Sequence, residues 1–297
     1  MLRIIADSTC DISKEDARKM GIQIVPISVR FGDEEFLDGV EITHEEFYTR
    51  LAECDELPKT SQPSPDTFMK VFNEAVAAGD DVLGIFISSD LSGTYQSACL
   101  AALDVEEETR KKLYMVDSRS ASIGTALLIR EAVKLRDAGV NAADIAAACT
   151  EMSKYIKLTA VVGSLKYLKM GGRLSGAAAF AGTMLHITPV VSIEDGKVVV
   201  IGKTRGKKAA EKLMHDKLIK DGLSLTRDFM FGHINCSESL ETFINKSLTY
   251  ISDVNGNVGV SSIGCSVGTH VGPGTYGIAY VEAAESGMNR ESIVKTA

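Results

Sequence analysis

Asp81-Val82-Leu83-Gly84-Ile85-Phe86-Ile87-Ser88 runs directly into Ser89-Asp90-Leu91-Ser92-Gly93-Thr94. The first stretch is almost continuously apolar and short, which is how a strand buried on both faces reads. The second is small and polar, and a helix is expected to begin at Ser92-Gly93-Thr94. The same rhythm recurs on either side. Residues 3–6 form a short apolar run that stops at Asp7-Ser8-Thr9. Residues 23–31 are rich in β-branched side chains and read as a second strand, with Pro26 calling for an edge position or a bulge. Residues 113–117 read as another strand. Helices are expected over 45–52, 121–138 and 142–156, and from Ser64-Pro65-Asp66, where Ser caps, Pro fits the first turn and Asp meets the positive end of the dipole. Residues 57–65, with three prolines, read as a loop. Strands alternating with helices imply parallel pairing through right-handed crossovers. Residues 1–155 are therefore expected to form an N-terminal α/β domain with a parallel, doubly wound sheet.

The second half has another character. Residues 158–163 are strand-like, and 171–182, rich in Gly and Ala, read as a loop running into a helix. Residues 190–193 and 198–201 flank Glu194-Asp195-Gly196-Lys197, an Asp-Gly hairpin signal. Helices at 207–220 and 239–251 enclose a strand at 229–233, and strands at 258–263 and 278–281 follow. A hairpin requires antiparallel pairing. Residues 156–297 are thus expected to be a second α/β domain with a mixed sheet, the boundary lying near Tyr155.

Composition narrows the function. The chain has 297 residues and a formal net charge of −8. Phosphate neutralisation needs a basic face, so nucleic acid is disfavoured as the main partner, as is electrostatic docking on anionic lipid. No run approaches the ~20 apolar residues of a membrane helix, and the start is too short for a signal peptide. The six cysteines are widely spaced, offering neither a zinc knuckle nor a redox pair. A cytoplasmic protein with reduced thiols, no resident metal and no cofactor is expected.

Ligands of open α/β sheets bind beyond the carboxyl ends of parallel strands. Three such ends are hydroxyl-rich here: Asp7-Ser8-Thr9, the loop from Ser88 to Thr94, and Asp117-Ser118-Arg119-Ser120. In the middle loop, backbone N–H groups and Gly93 suit a carboxylate or phosphate, although Ser92 reads equally well as a plain helix cap. Thr60-Ser61-Gln62-Pro63-Ser64 is similar, and gains weight only beside the Ser92 loop. His270 lies in the Gly/Pro-rich stretch Gly268–Gly274, where a surface or cleft position is expected, and a nearby carboxylate would bias it toward its charged form. Gly171-Gly172-Arg173-Leu174-Ser175-Gly176 places an arginine on a mobile loop, and Arg205 sits in a basic run. Both read either as solvated charge or as docking points for an acidic or phosphate-bearing partner.

Other motifs fail on context. Gly272-Pro273-Gly274-Thr275-Tyr276-Gly277 has dinucleotide-site spacing but leads into a strand. Gly202-Lys203-Thr204 lacks the upstream glycine of a phosphate loop, since position 197 is Lys197. No nucleophile elbow surrounds Ser88, Ser89 or Ser92. A triad of Ser92, His270 and Asp90 or Asp117 can be written down, but geometry, not spacing, decides triads.

Taken together these segments resemble the DegV family, the fatty-acid carriers of bacterial fatty acid kinase. The resemblance rests on Ile5–Asp11, Lys59–Ser64, Ile87–Ala98, Val116–Ser118, Gly171–Ser175 and Gly268–Gly274, in order along nearly the whole chain. It implies a long-chain fatty acid between two α/β domains, its carboxylate held by Thr60 and Ser92 with His270 close by. Ser61, Gly93 and Thr94 would support those loops. It also implies a separate kinase that phosphorylates the bound acid to an acyl phosphate, with Arg173 and Arg205 serving docking or hand-over, and no catalysis by this chain. Thr188-Pro189 departs from the family's frequent Lys-Pro. The competing expectations are a serine hydrolase acting on acyl substrates through Ser92, and a regulatory module with another ligand.

Overall fold

The computed structural model describes residues 1–54, 56–175, 187–222, 224, 227–250 and 256–283. The chain opens with β1 (Leu2–Asp7), a 3₁₀ turn (Ser8–Cys10) and α1 (Lys14–Met20). Three short strands follow, β2 (Ile22–Val25), β3 (Ser28–Phe31) and β4 (Glu34–Leu37), then α2 (His44–Glu53) and β5 (Lys59–Ser61). Next come α3 (Pro65–Ala77), β6 (Asp81–Phe86), α4 (Thr94–Thr109), β7 (Leu113–Asp117), α5 (Ile123–Asp137) and α6 (Ala142–Met152). Beyond Tyr155 lie β8 (Ile156–Val161), α7 (Leu165–Met170), β9 (Thr188–Glu194), β10 (Lys197–Thr204) and α8 (Lys207–Asp221). The described chain ends with β11 (Phe229–His233), α9 (Ser237–Tyr250), β12 (Val258–Ser262), α10 (Cys265–Val271) and β13 (Tyr276–Val281).

The fold is α/β. A parallel sheet has the order β2-β1-β6-β7, and a mixed sheet the order β10-β9-β8-β13-β11-β12, in which β11 and β12 are the parallel pair. The Asp195-Gly196 turn joins β9 to β10, with both residues at positive φ (47° and 80°), as a tight hairpin of the favoured twist requires. That turn docks on the parallel sheet: the Ser88 hydroxyl donates to the Gly196 carbonyl over 2.8 Å. A Cβ at position 196 would lie 2.6 Å from the same hydroxyl, so glycine serves both the turn and the contact.

Three expectations need correction. Residues 23–31 are two strands, not one. β2 belongs to the parallel sheet and β3 to a separate antiparallel sheet of order β4-β3-β5. Pro26 lacks the N–H that would continue a ladder, and the chain changes sheets there. The 57–65 loop contains β5, paired with β3 through Val29 and Thr60. The Gly/Pro-rich stretch at 268–274 begins inside α10, a seven-residue helix. The expected loop-to-helix segment at 171–182 is described only through Ser175, and its remainder lies outside the described residues, as does the end of the helix expected to reach 251.

Helix α5 explains how the sheets are joined. It is buried over nearly its whole length, and it packs against β1 and β6 on one side and β8, β11 and β13 on the other. A helix buried on most of its faces belongs in an interior. Two of its five charged residues point at one short segment: Glu131 pairs with Arg227, and Lys134 with Asp228 at 2.5 Å. The large sheets draw their strands from opposite sides of Tyr155, but the packing crosses that line. Ile87, Ala121, Ile123 and Leu127 share one core cluster with Leu158, Val191 and Met230.

Candidate functional site

Asp7 ends β1 with its carboxylate buried, accepting from the Thr9 backbone (2.9 Å), the Thr9 hydroxyl and the Ile87 backbone (3.0 Å). It thereby ties the carboxyl ends of β1 and β6 together, and burial raises its pKa. Beside these ends a cavity of about 1070 Å³, its open mouth included, lies between the two large sheets. Its walls are apolar: Ile87 and Ile123 on one side, Leu158, Ala160, Val191 and Ile193 on the other.

Part of the lining is polar. Thr60 on β5 and His270 in the last turn of α10 meet there, Oγ1 to Nε2, at 2.9 Å. The meeting follows from topology, because α10 packs on β3, β5, α2 and α7. Period-two alternation turns Thr60 toward the cavity and leaves Ser61 exposed and outside the lining. His270 Nδ1 is buried with no hydrogen-bond partner. The imidazole pKa is pushed down to about 4, first by burial and then by the Arg173 charge. With that pKa His270 is neutral at pH 7.

Ser92 also lines the cavity. Leu91 and Ser92 donate their N–H groups back to the Ser88 carbonyl, which folds the loop into a turn. The Ser92 hydroxyl lies 2.9 Å from that of Thr94 and accepts from the Thr94 N–H at 3.3 Å. Ser92 therefore braces the start of α4 and lines the cavity, while the N-cap itself is Gly93, with no side-chain cap bond. Thr94 is fully buried behind it. Gly93 is the N-cap of α4, and a Cβ there would sit 2.1 Å from Gln62 Oε1. Gln62 donates to the Ser97 hydroxyl at 2.9 Å, locking the β5 loop onto α4. Sequence reasoning passed over Gln62, and only its neighbourhood to Gly93 reveals the lock.

Arg173 lies in the lining beside His270. Its Nε donates to the Leu91 carbonyl (3.3 Å) and its Nη1 to the Gly171 carbonyl (2.6 Å). It is held across the gap between the α7 and α4 loops, rather than waving on a mobile loop. Gly171 is needed at that junction, since a Cβ there would lie 2.3 Å from His270 Nδ1. Arg205 is not brought to this site: it is exposed after β10 and outside the lining.

The acids of the conceivable triad are engaged elsewhere. Asp117 accepts from the backbones of Ser89 and Arg119, and Asp90 faces Lys197 at 3.4 Å. Among the described residues, one group could hold a cation: Asp38, His44 and Cys265 offer ligand atoms within 4.8 Å of one another. The Asp38 carboxylate, however, already accepts from the N–H groups of Cys265 and Ser266 and from the Ser8 hydroxyl. Those bonds account for its burial without an ion.

Comparisons with known proteins agree on one family. The model described as "Uncharacterised protein, DegV family" matches residues 1–283. A DegV domain-containing protein of Clostridium perfringens is 35% identical over 290 residues, covering 95% of this chain and 98% of its own. Two solved structures are similar throughout. One, described as fatty acid binding of a DegV family protein from Thermus thermophilus, has a TM-score of 0.84 at 30% identity, covering 95% and 99% of the two chains. The other, a stearic acid-binding protein from Eubacterium ventriosum, has a TM-score of 0.83 at 30% identity, covering 95% and 98%. The chain belongs to the DegV family.

Proposed function

We propose that this chain binds a long-chain fatty acid in the cavity between an N-terminal part (1–155) and a C-terminal part (156–297), and presents its carboxylate to a partner kinase. The observation that carries the reading is a mainly apolar cavity with a polar region where Thr60, Ser92, His270 and Arg173 converge. Each methylene taken from water is worth ~0.8 kcal/mol, so a long acyl chain supplies affinity well beyond the cost of ordering it. The carboxylate needs hydrogen-bond donors rather than a full ion pair, and hydroxyls with an adjacent imidazole provide them. The two similar structures described as binding fatty acids support the same ligand.

Arg173, already beside the head group, and exposed Arg205 are the proposed contacts for hand-over to a kinase that brings the phosphate. On this reading the chain itself catalyses nothing. It is a cytoplasmic carrier without metal or cofactor. Its six cysteines are free, and no helix among the described residues is long and apolar enough to cross a membrane.

The hydrolase reading fares worse. The Ser92 hydroxyl is bonded to Thr94 and His270 Nε2 to Thr60, so the serine–imidazole pair is not formed. An imidazole with a pKa near 4 is also a poor base at neutral pH.

The deciding experiment is mass spectrometry of the native and then the denatured protein, with lipid analysis of the extract. One equivalent of fatty acid released on denaturation is expected. If none is found and added long-chain acids also fail to bind, the proposal is wrong. Adding ATP to the protein alone should give no acyl phosphate.

A further inference from the structure

The cavity carries a second polar feature, set apart from the carboxylate region. Ser266 lies in the first turn of α10, four residues before His270. It lines the cavity, is 2% exposed, and its hydroxyl has no hydrogen-bond partner. Its backbone N–H donates to Asp38 at 3.0 Å, which fixes the residue in place. The other serine and threonine hydroxyls of the lining are all engaged. Thr60 is bonded to His270, Ser92 to Thr94, Thr9 to Asp7, Ser122 to Asp11 and Thr275 to the Val271 carbonyl. A serine in a helix commonly turns back to a carbonyl of the preceding turn, but Ser266 does not. A buried hydroxyl left unpaired is unfavourable, and native structures rarely leave one without a ligand or water.

Its neighbours define what would satisfy it. Ser122 and Thr9 are adjacent through a 2.8 Å bond from the Ser122 N–H to the Thr9 carbonyl. Asp11 joins this pair to α10, accepting from the Ser122 hydroxyl and, at 2.8 Å, from the Gly264 N–H. The hydrogens of Thr9 and Ser122 are committed to Asp7 and Asp11, so toward the cavity these oxygens can only accept. Ser266 alone retains a hydrogen to give. A group facing all three must accept from one and donate to another. A hydroxyl does both, whereas a methylene does neither and a ketone only accepts.

We infer that Ser266, with Thr9 and Ser122, forms a subsite for a hydroxyl group carried on the acyl chain near its carboxyl end, so that hydroxylated fatty acids are among the ligands. The position follows from α10. Four residues of helix rise about 6 Å, so the subsite lies a few carbons from a carboxylate held at His270. This inference rests on the fatty-acid reading above and specifies its ligand class.

The test is a set of dissociation constants for palmitate and for 2-, 3- and 5-hydroxypalmitate, measured with the full-length protein and with Ser266→Ala after removal of endogenous lipid. For at least one hydroxy acid, Ser266→Ala should lower its affinity relative to palmitate about tenfold, the loss of one buried hydrogen bond. Palmitate itself should bind the variant as well as the wild type or better. If the palmitate-to-hydroxypalmitate ratio is the same in both proteins for every isomer, water fills the subsite and the inference is overturned. If Ser266→Ala weakens palmitate equally, Ser266 acts on the carboxylate and the inference is again overturned. Failure of all four acids to bind the wild type would sink the fatty-acid reading itself, which is a different result.

Discussion

Thr60 and His270 are 210 residues apart in the chain, yet their side chains meet at 2.9 Å. The bond joins a three-residue strand of the small sheet to a seven-residue helix near the end of the described chain. Removing the Thr60 hydroxyl together with that of Ser92 should therefore strip the carboxylate of two donors while leaving the large sheets untouched. Thr60→Ala/Ser92→Ala is expected to bind long-chain acids at least a hundredfold more weakly, since each hydrogen bond to a charged group contributes about 1.5–3 kcal/mol. Its melting temperature should fall by only a few degrees. Unchanged affinity by titration calorimetry would remove these residues from the head-group site.

His270 offers a titration. Its pKa is about 4 in the folded protein against the ordinary 6.5, because burial and the Arg173 charge disfavour the imidazolium. Between those values the unfolded chain holds more protons than the folded one, so this residue makes stability fall as pH drops from about 6.5 to about 4, and no further below. Relative to His270→Gln, the ligand-free wild type should lose on the order of 2–3 kcal/mol across that window in urea unfolding. Ring-proton NMR should show the pKa near 4 without ligand and higher with a fatty acid bound. A value near 6.5 in the free protein would contradict the burial described.

Gly171 tests how tightly the imidazole is seated. A methyl group at that position would lie 2.3 Å from His270 Nδ1, closer than real contacts allow. Gly171→Ala should push the ring off Thr60 and weaken acid binding to the level of His270→Ala, with little effect on folding. Wild-type affinity in this variant would show that the ring has room to spare.

Arg205 separates binding from hand-over. Being exposed and outside the cavity lining, it should tolerate Arg205→Glu with fatty-acid affinity within about twofold of wild type. Acyl-phosphate formation with the partner kinase and ATP should nevertheless drop at least tenfold, as expected when a contact in an electrostatically matched interface is reversed. Equal turnover would place the docking surface elsewhere.

The ion pairs of α5 tie that helix to the segment leading into β11. The side chains of Glu131 and Arg227 are only 7% and 10% exposed. Arg227→Met removes that cation from a buried carboxylate, which should destabilise the fold measurably in denaturant unfolding. Glu131→Leu/Arg227→Met should recover most of that loss. A single variant as stable as wild type would mean that water reaches Glu131.

Much of this architecture was legible in the sequence, because its punctuation is local. Ser64 caps α3 as its Ser-Pro-Asp context indicates, and Asp195-Gly196 makes the hairpin turn. The small sheet was not legible. Its strands are only three or four residues long, and the β-branched character of residues 22–31 continues straight across the switch at Pro26. Helix α10 was hidden by its glycines. Gly268 is there because the Tyr48 hydroxyl lies 2.2 Å from where its Cβ would be, which is tertiary packing overriding helix propensity. Thr60, Ser92 and His270 were named from sequence through a resemblance, and the meeting of Thr60 with His270 is a matter of topology. Gln62 and Ser266 carried no signal, since a glutamine lock and an unpaired hydroxyl exist only in three dimensions.

The cavity interrupts a core cluster whose members come from both large sheets. A ligand that fills it completes the protein's interior with material from outside the chain. By mass action, an acid at a thousand times its dissociation constant adds about 4 kcal/mol to the stability of the folded state. The loaded protein should therefore outlast the empty one against heat and proteases, so that the supply of fatty acid also governs how long each molecule survives.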